Sequence, residues 1–288
     1  MTQNNMTKII NIDDWMISGG GEAGVSYFHK TDPSLILKMD NRETTKAEVE
    51  ESLETARIVY SLGIPTPEPG EVVFDGRRYG QVFHRIRNKA SYARLTAEHP
   101  EMIPQLAHEY TEVVKHLHST KGSGTGLRNI KETYGSMIMS NIYRPKELLD
   151  KAVNLLNSLP DADTCVHGDL HFGNIIKADG RNYLIDIASF SYGHPYFDIA
   201  MMVAIHNLQS IRPEYHKELF HCTVEQSEQF WQCFIKEYFG ESVTSEMVEQ
   251  MVQPFLAVRM LTMESESGKP MPDPAIGRAI EFINSLQS

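Results

Sequence analysis

The stretch Val166-His167-Gly168-Asp169-Leu170-His171-Phe172-Gly173-Asn174-Ile175-Ile176 places an aspartate five residues before an asparagine, in a short loop between two apolar runs. A second aspartate follows in Tyr183-Leu184-Ile185-Asp186-Ile187. Phosphoryl transfer from a nucleotide needs these groups: a carboxylate beside the attacking hydroxyl, and an amide plus a second carboxylate that hold magnesium on the phosphates. The spacing suits a catalytic loop followed by a hairpin strand that returns metal ligands to one face. Asp169 is accordingly the expected base or hydroxyl-orienting group. Asn174 is the expected magnesium ligand through its amide oxygen, and Asp186 the stronger one, because hard Mg²⁺ prefers carboxylate and phosphate oxygen.

Upstream, the first 90 residues read as strands with one helix. Trp15-Met16-Ile17-Ser18, Val25-Ser26-Tyr27-Phe28-His29 and Leu35-Ile36-Leu37-Lys38-Met39 are short strand-like runs, and Asp32-Pro33-Ser34 is a turn between two of them. From Thr44 to about Leu62 the pattern turns helical, with Val49, Leu53, Ala56 and Tyr60 at spacings of 4, 3 and 4 on one face. Gly63 and Pro65 end that helix, and a hairpin is expected around Asp75-Gly76. Downstream, helices are expected over Met102–His118, Pro145–Ser158, Asp198–Leu208, Thr223–Phe239, Ser245–Met263 and Ala275–Leu286. The step from strands to helices falls near Arg85 to Ser91. Gly122-Ser123-Gly124-Thr125-Gly126 reads as a flexible connection.

Gly19-Gly20-Gly21-Glu22-Ala23-Gly24 matches G-x-G-x-x-G, but a dinucleotide fold needs a helix opening directly on the glycines. Here a second strand follows, and Lys38 lies 14 residues beyond Gly24. That strand–loop–strand–lysine order fits a nucleotide-covering flap, with Gly21 and Gly24 admitting phosphates close to the backbone and Ser26 adding a hydroxyl.

The motifs together resemble the aminoglycoside phosphotransferase and choline kinase-like family, small-molecule relatives of the protein kinases. His167-Gly168-Asp169-Leu170-His171-Phe172-Gly173-Asn174 resembles that family's H-G-D-x-H-x-x-N loop, with Phe172 where relatives often have proline. Ile185-Asp186 followed by Gly193-His194-Pro195-Tyr196-Phe197-Asp198-Ile199-Ala200 resembles its metal-binding segment and the helix behind it. The resemblance implies an α+β, bilobal protein-kinase-like fold: a small N-terminal antiparallel sheet lobe with one helix (1–86) and a larger, mostly helical C-terminal lobe (87–288), hinged at about 84–91. It implies that Lys38 grips the nucleotide's phosphates and that a helix glutamate holds Lys38. Glu54 is the first candidate for that pairing, with Glu50 and Glu51 as rivals. It implies that Asp198 ties the catalytic loop down, and structural roles are favoured for His167 and His171.

The function so implied is transfer of the γ-phosphate of ATP, or of GTP, to a hydroxyl of a small molecule with Mg²⁺ as cofactor. The alternative is a catalytically silent, nucleotide-binding kinase-like module. Net charge bears on the acceptor. Residues 1–90 carry 11 Lys/Arg against 13 Asp/Glu, and residues 91–288 carry 16 against 25. A nucleic-acid partner is therefore not expected, and a cationic acceptor such as an aminoglycoside or amino alcohol suits the acidic second part. Asp186 to Asp198 spans only 12 residues, too few for a long peptide-docking loop, which favours a small acceptor over a protein.

No apolar run approaches the roughly 20 residues of a membrane helix, and the N-terminal residues lack a signal-peptide core, so a cytoplasmic location with no membrane partner is expected. Cys165, Cys222 and Cys233 form no C-x-x-C pair, and Cys165 is expected to be a small buried thiol.

Overall fold

The computed structural model describes residues 7–20, 24–41, 43–272, 274 and 276–286. They divide into two compact units, Met1–Lys89 with Lys177–Ala188, and Ala90–Ile176 with Ser189–Ser288.

The first unit is built on six strands: β1 (Lys8–Ile9), β2 (Trp15–Gly20), β3 (Gly24–His29), β4 (Leu35–Asp40), β5 (Pro69–Phe74) and β6 (Tyr79–His84), in spatial order β1-β5-β6-β4-β3-β2. Every pairing is antiparallel except that of β1 with β5, which is parallel. Leu37 and Met39 alternate along β4 onto one face and join Trp15, Val73 and Val82 in a core cluster. Helix α1 (Lys46–Ser61) opens with a capping box in which Thr45 and Glu48 satisfy each other's backbone N–H groups. It lies against β5 and β6, and Gln81 Nε2 donates to Val49 O at 3.1 Å. Its buried stripe is Val49, Leu53, Ala56 and Val59. The expected fourth member, Tyr60, is instead 46% exposed, because the smaller Val59 completes the stripe one residue earlier. Gly24 has a packing reason of its own: a Cβ there would stand 2.6 Å from Met39 O on the neighbouring strand.

The second unit contains β7 (Ala90–Ser91), α2 (Tyr92–Glu98), α3 (Ile103–Ser119), α4 (Ile130–Met139), α5 (Lys146–Ser158) and β8 (Thr164–Val166). A hairpin of β9 (Ile175–Ala178) and β10 (Arg181–Leu184) follows, β10 falling in the Lys177–Ala188 stretch of the first unit, and then β11 (Ser191–Gly193) in the second. Helices α6 (Tyr196–Ile211), α7 (Pro213–Phe220), α8 (Val224–Phe239), α9 (Ser245–Ser267) and α10 (Gly277–Ser285) complete the chain. Helix α3 packs on α8, and α6 packs on α9. β8 and β11 pair antiparallel, with Cys165 opposite Tyr192. The six helices expected downstream are present, while α2, α4 and α7 are short helices that the periodicity did not disclose. Gly122, expected in a flexible connection, is packed: its N–H donates to Asp163 O at 2.7 Å, and a Cβ would meet Tyr192 Cβ at 2.7 Å.

This is the expected α+β kinase-like architecture, a sheet with one helix followed by a mostly helical portion. Among the described residues no helix is long and apolar enough to cross a membrane.

Candidate active site

In the second unit the loop after β8 is fixed from below. Asp198, in the first turn of α6 and fully buried, accepts from His167 N through Oδ2 and from Gly168 N through Oδ1, both at 2.8 Å. His118 on α3 adds a third contact, with Nε2 3.1 Å from Asp198 Oδ2 and Nδ1 2.7 Å from the Tyr238 hydroxyl. A buried carboxylate is tolerated because its lone pairs are met by aimed donors. The expected tie-down by Asp198 is thus formed, and His118 is a part of it that sequence spacing did not point to. Gly168 (φ +80°) has its Cα so close to Ser189 that a Cβ would lie 2.6 Å from Ser189 O. Positive φ and close approach both require glycine there. Phe172 is buried against Phe220 and Phe230, so an aromatic wedge holds the loop where a proline would only stiffen it.

So tethered, the loop presents Asp169, whose side chain keeps 34% of its exposure. Asn174, 5% exposed, donates its amide to Asp169 O at 2.8 Å and to Asp169 Oδ2 at 3.1 Å, which brings the two residues together. His171 is turned inward, accepting Gly173 N at Nδ1 (3.1 Å) and meeting the Phe220 ring, with Nε2 3.9 Å from Asp169 Oδ2. His167 is fully buried beside Phe190.

Asp169 Oδ1 faces Arg259, a residue of α9 that the sequence did not single out. Arg259 is 3% exposed; Nη2 lies 3.6 Å from Asp169 Oδ1, and Nη1 bonds Glu266 Oε2 at 2.9 Å and Thr262 Oγ1 at 3.1 Å. Its carbon Cζ stands 5.7 Å over the Tyr134 ring. Burial disfavours the guanidinium, but Tyr134, Glu266 and Asp169 together hold it more firmly protonated than usual. A lone arginine deep in a helix, ninety residues from the loop, carries no local signal in sequence.

In the first unit Lys38 and Asp186 form a direct ion pair through Nζ and Oδ1. Asp186 adopts φ +58°, a left-handed conformation uncommon for a side-chain-bearing residue, right after β10. Leu184 N donates to Pro65 O at 2.8 Å, which anchors β10 beside it. Ser26 stands directly opposite Lys38 in the β3–β4 register, so their side chains share a face. Gly24 begins β3, and Gly21 lies outside the described residues. The expected Lys38–Glu54 pair is not formed among the described residues: Glu54 is exposed and bonds Arg57 at 3.4 Å, while Glu50 pairs with Lys46 at 3.3 Å. The reason is geometric, since Glu54 stands one residue past the buried Leu53, on the solvent side of α1. Lys89 is an unanticipated neighbour: the protein packed around it and then the Lys38 charge push its ammonium down, opposed by Asp186.

Asn174 and Asp186 suit magnesium by donor type, amide and carboxylate oxygen. Among the described residues no group of three or more His, Cys, Asp or Glu could cage a metal. Over residues 16–221 the chain matches the model of the phosphotransferase enzyme family, and it belongs to that family. Among curated proteins the sequence finds no match.

Solved structures share the fold. The amicoumacin kinase hAmiN, in complex with AMP-PNP, Ca²⁺ and Ami, aligns at 15% identity over 96% of this chain and 90% of its own, TM-score 0.59. A thermostable mutant of aminoglycoside phosphotransferase APH(4)-Ia aligns at 14% identity over 94% of each chain, TM-score 0.62. The choline kinase LicA from Streptococcus pneumoniae aligns at 18% identity over 96% of this chain and 95% of its own, TM-score 0.53.

Proposed function

We propose that the protein is a small-molecule kinase that moves the γ-phosphate of ATP, or of GTP, to a hydroxyl acceptor. The observation that carries this reading is the Asp169 carboxylate, presented to solvent from a loop held by Asp198, Asn174 and Arg259. Its task is to orient the acceptor hydroxyl and take its proton, since a loose phosphoryl-transfer transition state asks the protein mainly for positioning. Asn174 and Asp186 would hold Mg²⁺, which when bound neutralises charge on the phosphates. Lys38 would bind phosphate oxygens, with Ser26 beside it and the backbone at Gly21 and Gly24 approaching them. Lys38 and Asp186 now satisfy each other. Engaging phosphates with one and a cation with the other exchanges that ion pair for two charge-assisted contacts. Glu54 would become the partner of Lys38 only if its side chain left Arg57.

The test is nucleoside diphosphate release with Mg-ATP and Mg-GTP against aminoglycosides, amino alcohols, sugars and hydroxy amino acids. Acceptor-stimulated release that is lost in Asp169→Asn, with nucleotide binding retained, is expected. Full activity in Asp169→Asn would sink the assignment.

A further inference from the structure

The tether behind Asp169 runs past Asp198 to the end of another helix. Tyr238 is the last residue but one of α8 and lies beyond the 16–221 stretch that matches the family model. Its ring stacks on Phe234, centroids 5.5 Å apart, and meets Phe239 edge-on at 4.7 Å. So held, its hydroxyl stands 2.7 Å from His118 Nδ1, with the two rings at 90°. His118 is the last residue but one of α3, the helix that packs on α8.

The hydrogens can be placed along this chain of contacts. Gly168 N donates to Asp198 Oδ1, and His167 N donates to Oδ2, both in a site closed to water. With both oxygens accepting from backbone, Asp198 meets His118 as an acceptor, and Nε2 at 3.1 Å carries the ring hydrogen. The other ring nitrogen, Nδ1, is then a bare acceptor in a side chain that is only 4% exposed. The Tyr238 hydroxyl supplies its hydrogen. Burial, then the Asp198 charge, push that phenol well above its ordinary range, so it stays a donor. In an imidazole, the hydrogen bond made by one nitrogen decides which nitrogen is protonated. Without the hydroxyl, Nδ1 is satisfied only by turning the ring or moving its hydrogen, and either change withdraws Nε2–H from Asp198.

Resting on the kinase reading, we propose that Tyr238 is a positioning residue for the transfer. Its hydroxyl fixes the tautomer and tilt of His118, His118 fixes the Asp198 carboxylate, and Asp198 fixes the loop that presents Asp169. Gly168, which Asp198 holds, directly precedes Asp169 in the chain. A looser Asp198 therefore widens the range of places that the Asp169 carboxylate visits, and phosphoryl transfer asks chiefly for its position. Tyr238 acts through His118 and Asp198 and not on the acceptor, so it bears on kcat rather than on KM.

The test compares Tyr238→Phe with Ile283→Val in the full chain. Phenylalanine keeps the ring between Phe234 and Phe239 and removes the hydroxyl alone. Ile283, buried on α10, lies outside the tether, and its truncation costs about as much stability as one lost hydrogen bond. Amide hydrogen exchange reads the loop: the rates at His167 and Gly168 are divided by the rate at Val258, a buried position on α9 that reports general loosening. In Tyr238→Phe that ratio is expected to rise about threefold or more, the size that one neutral hydrogen bond supports, and to stay level in Ile283→Val. Ring ¹⁵N shifts of His118 should show hydrogen on Nε2 in the parent protein. ADP release is followed with Mg-ATP, with water and with the same panel of hydroxyl compounds as acceptors. Its kcat is expected to fall about threefold to tenfold in Tyr238→Phe, with KM for Mg-ATP within about twofold, and to hold in Ile283→Val. A level ratio in Tyr238→Phe, or hydrogen on Nδ1 in the parent protein, overturns the proposal whatever turnover shows. A raised ratio with kcat unchanged overturns the role in the reaction. A raised ratio in a protein that releases ADP with no acceptor overturns the kinase reading and leaves the tether through Tyr238 standing.

Discussion

Arg259 and Asp169 meet across the helical unit, Nη2 to Oδ1 at 3.6 Å, with the guanidinium almost wholly buried and its other arm on Glu266. The pair gives the presented carboxylate a fixed cationic neighbour on the side away from Asn174. Removing one member of a buried pair leaves the other uncompensated, which costs about 3–5 kcal/mol, less where a carboxylate keeps water. Both carboxylates here are about one-third exposed, at 34% and 33%. Arg259→Met is therefore expected to cost about 3 kcal/mol in urea unfolding and to abolish turnover. Arg259→Lys, keeping the charge but losing the fork, should recover part of the stability and little of the activity. Unfolding midpoints and steady-state rates on the two variants check this.

Asp198→Asn tests the tether. The asparagine keeps one acceptor oxygen but turns an NH₂ group toward a backbone N–H that donates to Asp198 now. A loss of about 3 kcal/mol is expected, because a buried donor is left without a partner where a charge-assisted bond stood. The same variant should lower turnover more than tenfold while nucleotide binding changes little.

Two glycines separate strain from crowding. Gly168 and Gly180 have nearly equal dihedrals, φ +80° and +76°, but only Gly168 faces Ser189 O; nothing lies within 4 Å of a Cβ at Gly180. Gly180→Ala is expected to cost about 1 kcal/mol, the left-handed penalty alone. Gly168→Ala should cost about 2 kcal/mol more, because Ser189 and the backbone before it must move. Thermal melts of the two variants measure the difference.

The pH dependence of stability follows from two histidines. Burial, then the charge on His206, holds the His216 imidazole below its ordinary range; burial, then His118, does the same at His194. A folded-state pKa below the unfolded value of about 6.5 means the unfolded chain binds more protons in the window between them. Stability from these groups is thus full above about pH 6.5 and is lost as pH falls through the folded-state values. Urea midpoints at pH 7.5, 6.5 and 5.5 should decline on the acid side, and His216→Gln should flatten that decline.

The sequence by itself determined the class of protein and the loop that bears its motif. His167-Gly168-Asp169 through Asn174 spans eight residues, so the loop that carries both Asp169 and Asn174 was legible, while their direct contact came with the structure. The runs that became β2 to β6, α1 and the long helices followed from periodicities of two and 3.6, which are properties of consecutive residues, whereas the order of the strands in the sheet came from the structure. Only the tertiary structure decided which distant side chains neighbour Asp198 and Asp169 in one unit and Lys38 in the other. His118, Arg259 and Lys89 sit in ordinary helical or loop contexts, and nothing within a few residues of any of them marks its task. Glu54 shows the same limit from the other side: its place before Gly63-Ile64-Pro65 fits the family pattern, yet rotation of α1 by a single residue turns it to solvent and leaves Lys38 to Asp186. Short-range order is written in neighbours along the chain, whereas charge partners are chosen by how helices pack, which depends on the whole core at once.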